Sequence, residues 1–151
     1  MSVAGGKPMH CLSFDVEEHF QVSAFWSEAR RQQWDKYDSR VENNTKRLVE
    51  LLAQHDTKAT FFVLGWVAER HPDLVKLLVE QGHEIASHGY GHELVTTQSP
   101  EQFRHDVRKA KNILENLVSD GCSFPDSATV VTYPFKPVMV SDSMNFRWMA
   151  R

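Results

Sequence analysis

Short apolar runs alternate along this chain with stretches in which apolar residues recur every three or four positions. The apolar runs cover residues 10–14, 59–65 and 83–87. Their length and their β-branched and aromatic side chains predict buried strands. The stretches between and after them are typical of helices that pack on one face. Strands that alternate with helices favour a parallel sheet covered by helices, so we predict an α/β fold.

Residues that favour helix ends define the predicted helices more closely. Ser39 and Ser99 are suited to cap the helices that follow them, because a serine hydroxyl accepts a hydrogen bond from a backbone N–H group of the first turn. Pro72 suits the first turn of a helix that Gly82 ends. Residues 20–40 show no period, which predicts a loop with one helical turn. The predicted helices cover residues 41–55, 67–70, 72–81 and 100–117.

Composition and charge exclude several classes of protein. With 151 residues, of which 41% are apolar and 25% charged, the chain suits one globular domain without a membrane-spanning segment. The net charge of −3 without a basic stripe argues against a nucleic-acid partner.

Cys11 and Cys122 match no zinc or redox spacing, so we expect two reduced thiols. The N-terminus shows no signal peptide, so we expect a cytoplasmic protein, with the inner face of the membrane as an alternative place of action.

Chemically reactive side chains follow two of the predicted strands. Asp15 and Glu17 come after the first strand, and His88 and His92 come after the third. The carboxyl ends of parallel strands lie at one edge of a sheet, and residues 15 and 17 of an extended segment point to the same side. Two imidazoles and one carboxylate suit zinc or a similar divalent metal with an open position for water, and a further carboxylate can act as the base. The pattern predicts a metal-dependent hydrolase.

Each of these features also has an ordinary structural interpretation. A His-x3-His pair alone is weak evidence for a metal, and acids after a strand commonly belong to a solvated loop. His71 and His83 have the character of surface or loop histidines. His19, next to the acidic residues, could contact the metal ligands without binding the metal itself. Four aromatic residues could line a sugar-binding groove, although core packing is the more frequent role: Phe20, Trp26, Trp34 and Trp66.

Three segments taken together resemble one enzyme family. The segment 13–17, Ser-Phe-Asp-Val-Glu, is similar to a first motif Thr-Phe-Asp-Asp, and the segment 88–92 is similar to a second motif His-Ser/Thr-x-x-His, with Gly89 at the Ser/Thr position. The segment between them, 57–89, resembles the family's linking segment. These are features of the polysaccharide deacetylase family, also known as the NodB homology domain or carbohydrate esterase family 4, and the resemblance covers residues 8–117. The segment 14–20, "FDVEEHF", most resembles the corresponding segment of a branch of the family that is found in bacterial exopolysaccharide and exosortase loci.

The resemblance implies a partial, distorted (β/α) barrel that removes acetyl groups from the N-acetylated sugars of a polysaccharide or oligosaccharide. By resemblance, Asp15 is the catalytic base, and His88 and His92 are metal ligands. Glu17 is our choice for the third ligand, because Val16 stands where the family has its second aspartate; which of Asp15 and Glu17 holds the metal stays open. The implied cofactor is a divalent metal. Zinc is the first choice, and cobalt or nickel would also fit.

The resemblance ends near Leu117. The family continues with an Arg-x-Pro motif, an Asp-Trp motif and a Leu-His motif, and residues 118–151 contain none of them. We therefore expect a truncated deacetylase that lacks its C-terminal strands, with a tail that arises from a change of reading frame and with weak or no activity. The alternatives are a divergent short homologue, a non-catalytic metal- or glycan-binding module, and a related hydrolase of small cyclic amides or ureides.

Overall fold

A three-stranded parallel sheet forms the centre of the described part of the chain, residues 11–22 and 27–119 of the computed structural model. Its strands are β1 (Ser13–Val16), β2 (Thr60–Val63) and β3 (Glu84–Ser87), in the spatial order β1-β2-β3. Both pairings are parallel, which confirms the predicted α/β architecture. The order of the strands in space is the same as their order in the sequence, as in a β/α barrel. In a doubly wound sheet, by contrast, the strand order reverses at one point.

Helices connect the strands and cover the sheet. Helices α3, α4 and α5 pack against one another, α4 and α5 also contact β3, and α2 contacts α4. The predicted loop at 20–40 contains a helical turn, α1, as expected, and a 3₁₀ turn at 34–36. Within the described residues, no helix has the length and apolar character needed to cross a membrane. The helices are α1 (Glu28–Arg31), α2 (Val41–Gln54), α3 (Gly65–Arg70), α4 (Pro72–Glu80) and α5 (Pro100–Ser119).

The middle strand carries the core. All four residues of β2 are buried, because it has a strand on each side and helices over it. Apolar side chains from α3, α4 and α5 pack in the same core. Burial of this apolar surface is the main favourable contribution to folding. The fully buried members include Phe61, Val63, Leu64, Val67, Leu78 and Leu114.

The two predicted serine caps have different outcomes. Ser99 caps α5 as predicted: its Oγ accepts the Gln102 N–H at 3.2 Å, and Gln102 Oε1 accepts the Ser99 N–H at 2.7 Å, a reciprocal capping box. Ser39 does not cap α2, whose N-terminal boundary residue is Arg40 without a side-chain cap.

A buried carboxylate takes the place of the expected Ser39 cap. Glu18 is fully buried. Its Oε1 accepts a hydrogen bond from the Ser39 hydroxyl, and its Oε2 accepts the Arg40 N–H at 3.0 Å. A carboxylate is the stronger acceptor and needs partners when it is removed from water. Glu18 therefore joins the loop after β1 to the start of α2.

The aromatic residues pack mainly with one another. Phe20 and Trp34 are buried, their ring centroids lie 6.2 Å apart, and Trp66 contacts both at 6.0 and 5.6 Å. The Arg70 guanidinium lies 3.8 Å from the centre of the Trp66 ring. Core packing therefore accounts for Phe20 and Trp34, and Trp26 lies outside the described residues.

Candidate metal centre

The ligand candidates stand where the strands end. Glu17 is the first residue after β1, and His88 is the first residue after β3. The His88 N–H donates to the carbonyl of Val63, the last residue of β2, at 3.0 Å. Because the three strands are parallel, these ends lie at one edge of the sheet. His92 follows His88 after a loop of three residues, and we call residues 88–92 the histidine loop.

The structure brings three of the four predicted site residues together. One ligand atom from each of Glu17, His88 and His92 lies within 4.8 Å of the other two. Glu17 Oε2 is 3.1 Å from His92 Nε2 and 3.9 Å from His88 Nε2. The centroids of the two imidazole rings are 4.9 Å apart. Two segments far apart in sequence thus present a carboxylate and two imidazoles to one point.

Partial burial sets the electrostatics of this cluster. The three side chains are each about one-fifth exposed. Burial raises the pKa of Glu17, against an opposing effect from His92, and the negative charge of Asp15 raises it further. Burial lowers the pKa of His88, although the charge of Asp15 acts in the other direction. A lowered pKa keeps the His88 imidazole neutral, which is the form that binds a metal.

These residues fit a divalent metal. Among the described residues, Glu17 Oε2 and His88 Nε2 are buried atoms without a hydrogen-bond partner, although Glu17 Oε2 lies 3.1 Å from His92 Nε2 as an ion-pair contact. An unsatisfied buried polar atom costs free energy, so such atoms are rare in native proteins unless something else satisfies them. Two nitrogen donors and one carboxylate oxygen are the ligand set of a catalytic zinc site that keeps one position open.

Asp15 stands beside this group of three rather than within it. It is an exposed residue of β1, two positions before Glu17 on the same strand path. Asp15 and Glu17 line the same surface pocket, and the negative charge of Asp15 raises the pKa of both Glu17 and His88. His19, considered as support for the site, is half exposed and lies against Phe20 and Glu18 instead.

The backbone of the histidine loop is held against helix α3. The N–H groups of Gly65 and Trp66 donate to the carbonyls of Gly89 and Tyr90, at 2.8 and 3.1 Å. Gly89 has a φ of +75° and His92 a φ of +51°. Positive φ is readily adopted by glycine but strained for most other residues.

Sequence reasoning missed a residue that holds this loop from the other side. Asp106 of α5 accepts the Tyr90 N–H at 2.8 Å and the Gly91 N–H at 3.0 Å. One signal was available: Asp106 lies three residues after Phe103 and four before Ala110, so a charged side chain interrupts the apolar stripe of its helix.

Comparison with known proteins places this chain in a family. A family profile described as polysaccharide deacetylase matches residues 31–135, more than half of the chain. The chain belongs to the polysaccharide deacetylase family. The enzymes of this family are hydrolases of carbon–nitrogen bonds other than peptide bonds, which confirms the predicted enzyme class. The match extends past Leu117 and does not reach β1, and the domain limits 8–117 stay a prediction.

Relatives from this deacetylase family share part of the chain. A peptidoglycan-N-acetylglucosamine deacetylase of Bacillus cereus is 37% identical over 73 residues, which is 48% of this chain and 26% of the relative. A chitooligosaccharide deacetylase of Rhizobium leguminosarum bv. trifolii is 33% identical over 70 residues, which is 46% of this chain and 33% of the relative. The chain thus spans about a third or less of the length of these two relatives.

A solved deacetylase structure supports the fold. The Bc1960 peptidoglycan N-acetylglucosamine deacetylase superposes with a TM-score of 0.54 at 27% identity, over 78% of this chain and 42% of that chain. The three parallel strands and their helices therefore form part of the β/α barrel of these deacetylases, and the predicted fold class is confirmed.

Proposed function

We propose that this chain carries the metal ligands of a deacetylase that acts on an N-acetylated sugar polymer. The observation that carries the proposal is the convergence of Glu17 with His88 and His92 at one edge of the sheet. Three of their buried polar atoms, Glu17 Oε2, His88 Nε2 and His92 Nδ1, have no hydrogen-bond partner among the described residues. Membership of the polysaccharide deacetylase family supports the reaction class.

In this proposal Glu17, His88 and His92 hold a divalent metal, with zinc as the first choice from the ligand types. When bound, such a metal supplies Lewis-acid activation of water and of an amide carbonyl. Asp15 is the base: its carboxylate accepts the proton that the attacking water loses. The exposed position of Asp15, beside the cluster but outside it, supports this division of roles, because a base must reach solvent and substrate.

The proposed substrate carries N-acetylglucosamine units. The names of the two relatives above refer to peptidoglycan N-acetylglucosamine and to a chitooligosaccharide, whose shared chemistry is an N-acetylated amino sugar. The similarity of "FDVEEHF" to the exopolysaccharide branch supports a role in exopolysaccharide processing.

Acetate release from an N-acetylglucosamine oligomer tests the proposal. The full chain is depleted of metal, reloaded with Zn²⁺ and compared with His88→Ala, Asp15→Asn and the control Asp73→Asn, whose carboxylate is 95% exposed. Because the chain lacks the family's later motifs, we expect weak Zn²⁺-dependent release, which is abolished in His88→Ala, strongly reduced in Asp15→Asn and unchanged in the control.

Three other outcomes would contradict parts of this proposal. Equal release from the wild-type and His88→Ala proteins would exclude His88 from the site. Zn²⁺ binding without acetate release would favour a binding module instead of an enzyme. Release of product from a small cyclic ureide, but not from the sugar oligomer, would favour a related amide hydrolase.

A further inference from the structure

The histidine loop has an unusual backbone that its own sequence does not stabilise. Two of its five residues, Gly89 and His92, have positive φ, and a non-glycine residue such as His92 keeps this conformation only where its surroundings impose it. The orientation of both imidazoles depends on this backbone, because His88 and His92 are the two ends of the loop.

Asp106 supplies the surroundings that the loop needs. Its two carboxylate oxygens each accept one backbone N–H: Oδ2 that of Tyr90 at 2.8 Å, and Oδ1 that of Gly91 at 3.0 Å. The carbonyls of Gly89 and Tyr90 are already bonded by the first N–H groups of α3. The peptide group between residues 89 and 90 is therefore held from both sides, through its carbonyl by α3 and through its N–H by Asp106.

Gly89 and Asp106 are matched in space. A Cβ atom at residue 89 would lie 2.8 Å from Asp106 Oδ2, closer than side chains approach in real structures, and the φ of +75° would add strain. The motif that this segment resembles has serine or threonine at this position, whereas this chain has glycine. The absence of a side chain at residue 89 leaves room for the carboxylate of Asp106 to reach the loop.

We infer that Asp106 is a positioning residue of the metal centre: by bonding the Tyr90 and Gly91 amides, it sets the separation and direction of His88 and His92. The inference rests on the proposed metal site and adds a residue of α5 to it. The carboxylate of Asp106 bonds backbone amides of the loop rather than the ligand side chains, so it acts through the loop backbone. Helix α5 itself is anchored elsewhere, by the buried Ala110 and Leu114.

Titration with Co²⁺, followed through its visible absorption spectrum, tests this inference on the full chain. Asp106→Asn keeps the shape of the side chain but turns an NH₂ group toward one of the two amide donors. Changes to groups that orient metal ligands typically cost 10–100-fold in metal affinity. We expect a loss of roughly tenfold or more and an altered spectrum for Asp106→Asn. The control Asp73→Asn should match the wild-type protein in both.

A second variant and a second measurement keep the test decisive. Gly89→Ala should weaken Co²⁺ binding in the same way, because it displaces the same carboxylate. Thermal unfolding of each metal-free variant shows whether it is folded at the titration temperature. Wild-type Co²⁺ affinity and spectrum in a folded Asp106→Asn or Gly89→Ala protein would overturn the inference. Failure of the wild-type protein to bind Co²⁺ would overturn the metal site itself, whereas binding without acetate release would contradict only the proposed reaction.

Discussion

The two histidines that flank β3 have the same chemistry and opposite situations. His83 precedes the strand and is 5% exposed, and its Nδ1 accepts the Ala59 N–H at 3.3 Å while its ring lies edge-on to Phe61. His88 follows the strand, and its Nε2 is buried without a hydrogen-bond partner among the described residues. Burial lowers the pKa of both. Burial and pKa alone therefore do not separate a structural histidine from a proposed metal ligand. The presence or absence of a hydrogen-bond partner for the ring nitrogen does.

The difference between these histidines extends to the two ends of the sheet. At the amino end, polar groups bond to one another across elements: Thr60 donates to Glu84, and Lys58 Nζ donates to the Gln81 carbonyl at 2.7 Å. At the carboxyl end, within the part of the chain that the structure describes, Glu17 and His88 keep buried atoms unsatisfied. In β/α barrels the carboxyl end carries the chemistry and the amino end contributes stability. Substitutions at the two ends should therefore change different quantities.

The largest expected effect is on metal binding at the carboxyl end. His88→Ala should lower the Zn²⁺ affinity by about 100-fold or more, which exceeds the loss seen when only a group that orients a ligand is changed. The metal-free protein should lose no hydrogen bond through Nε2, because this buried atom has no hydrogen-bond partner among the described residues, so any loss of stability comes from packing alone. Calorimetric titration with Zn²⁺ measures the first quantity and urea unfolding the second. A His88→Ala protein that binds Zn²⁺ as tightly as the wild type would remove the distinction between the two histidines.

The next effect is on stability at the amino end. His83→Ala should lower the free energy of unfolding by about 1–3 kcal/mol, because the buried Ala59 N–H loses its acceptor. Its Zn²⁺ affinity should stay within about twofold of the wild-type value, since residues far from a ligand act independently of it. Urea unfolding of the metal-free protein measures the change. A wild-type unfolding curve for this variant would show that the Ala59 bond contributes nothing.

The smallest effect is on the pH dependence of stability. The pKa of His83 is lowered in the folded protein, first by burial and then by the charge of Lys58. The unfolded chain, with an ordinary histidine pKa of about 6.5, binds the proton more readily. The contribution of His83 is therefore complete above about pH 6.5 and is lost as the pH falls toward its folded pKa.

Replacement of His83 by an amide isolates this contribution. The glutamine side chain of the His83→Gln variant cannot titrate but can still accept the Ala59 N–H. We expect the variant to lose less stability than the wild type when the pH is lowered from 7.5 to about 5.5. The difference between the two urea-unfolding series cancels the titration of Glu17 and His88. Parallel pH profiles would contradict a lowered pKa at His83.

Much of the fold was predictable because its signals are local. The apolar runs and periods located β2, β3 and the longer helices, and Pro72, Gly82 and Ser99 marked helix ends that the structure confirms. The first strand was predicted too early, at 10–14: β1 is Ser13–Val16, so Asp15 lies within it, and only Val16 of its four residues is buried. Gly82 adopts a φ of +73°, the conformation that favours glycine after a helix. The short spacings in the two motifs also sufficed to name Asp15, Glu17, His88 and His92 as site candidates.

Other features were decided only by tertiary packing. His83 lies in the loop before β3, as expected, but it is buried rather than at the surface, because its ring packs against Phe61 in the neighbouring strand. The prediction that Ser39 caps α2 is also wrong. Glu18, from the loop after β1, accepts hydrogen bonds from the Ser39 hydroxyl and from the Arg40 N–H.

The sequence by itself determined the order of strands and helices and the residue types available at the carboxyl edge of the sheet, because both follow from neighbours a few positions apart. Only the tertiary structure decided that Glu17 stands with the two histidines while Asp15 stands beside them. It also decided that Asp106 reaches the histidine loop. The physical reason is that hydrogen bonding and desolvation depend on distances of a few ångströms between groups that the chain keeps far apart until packing brings them together.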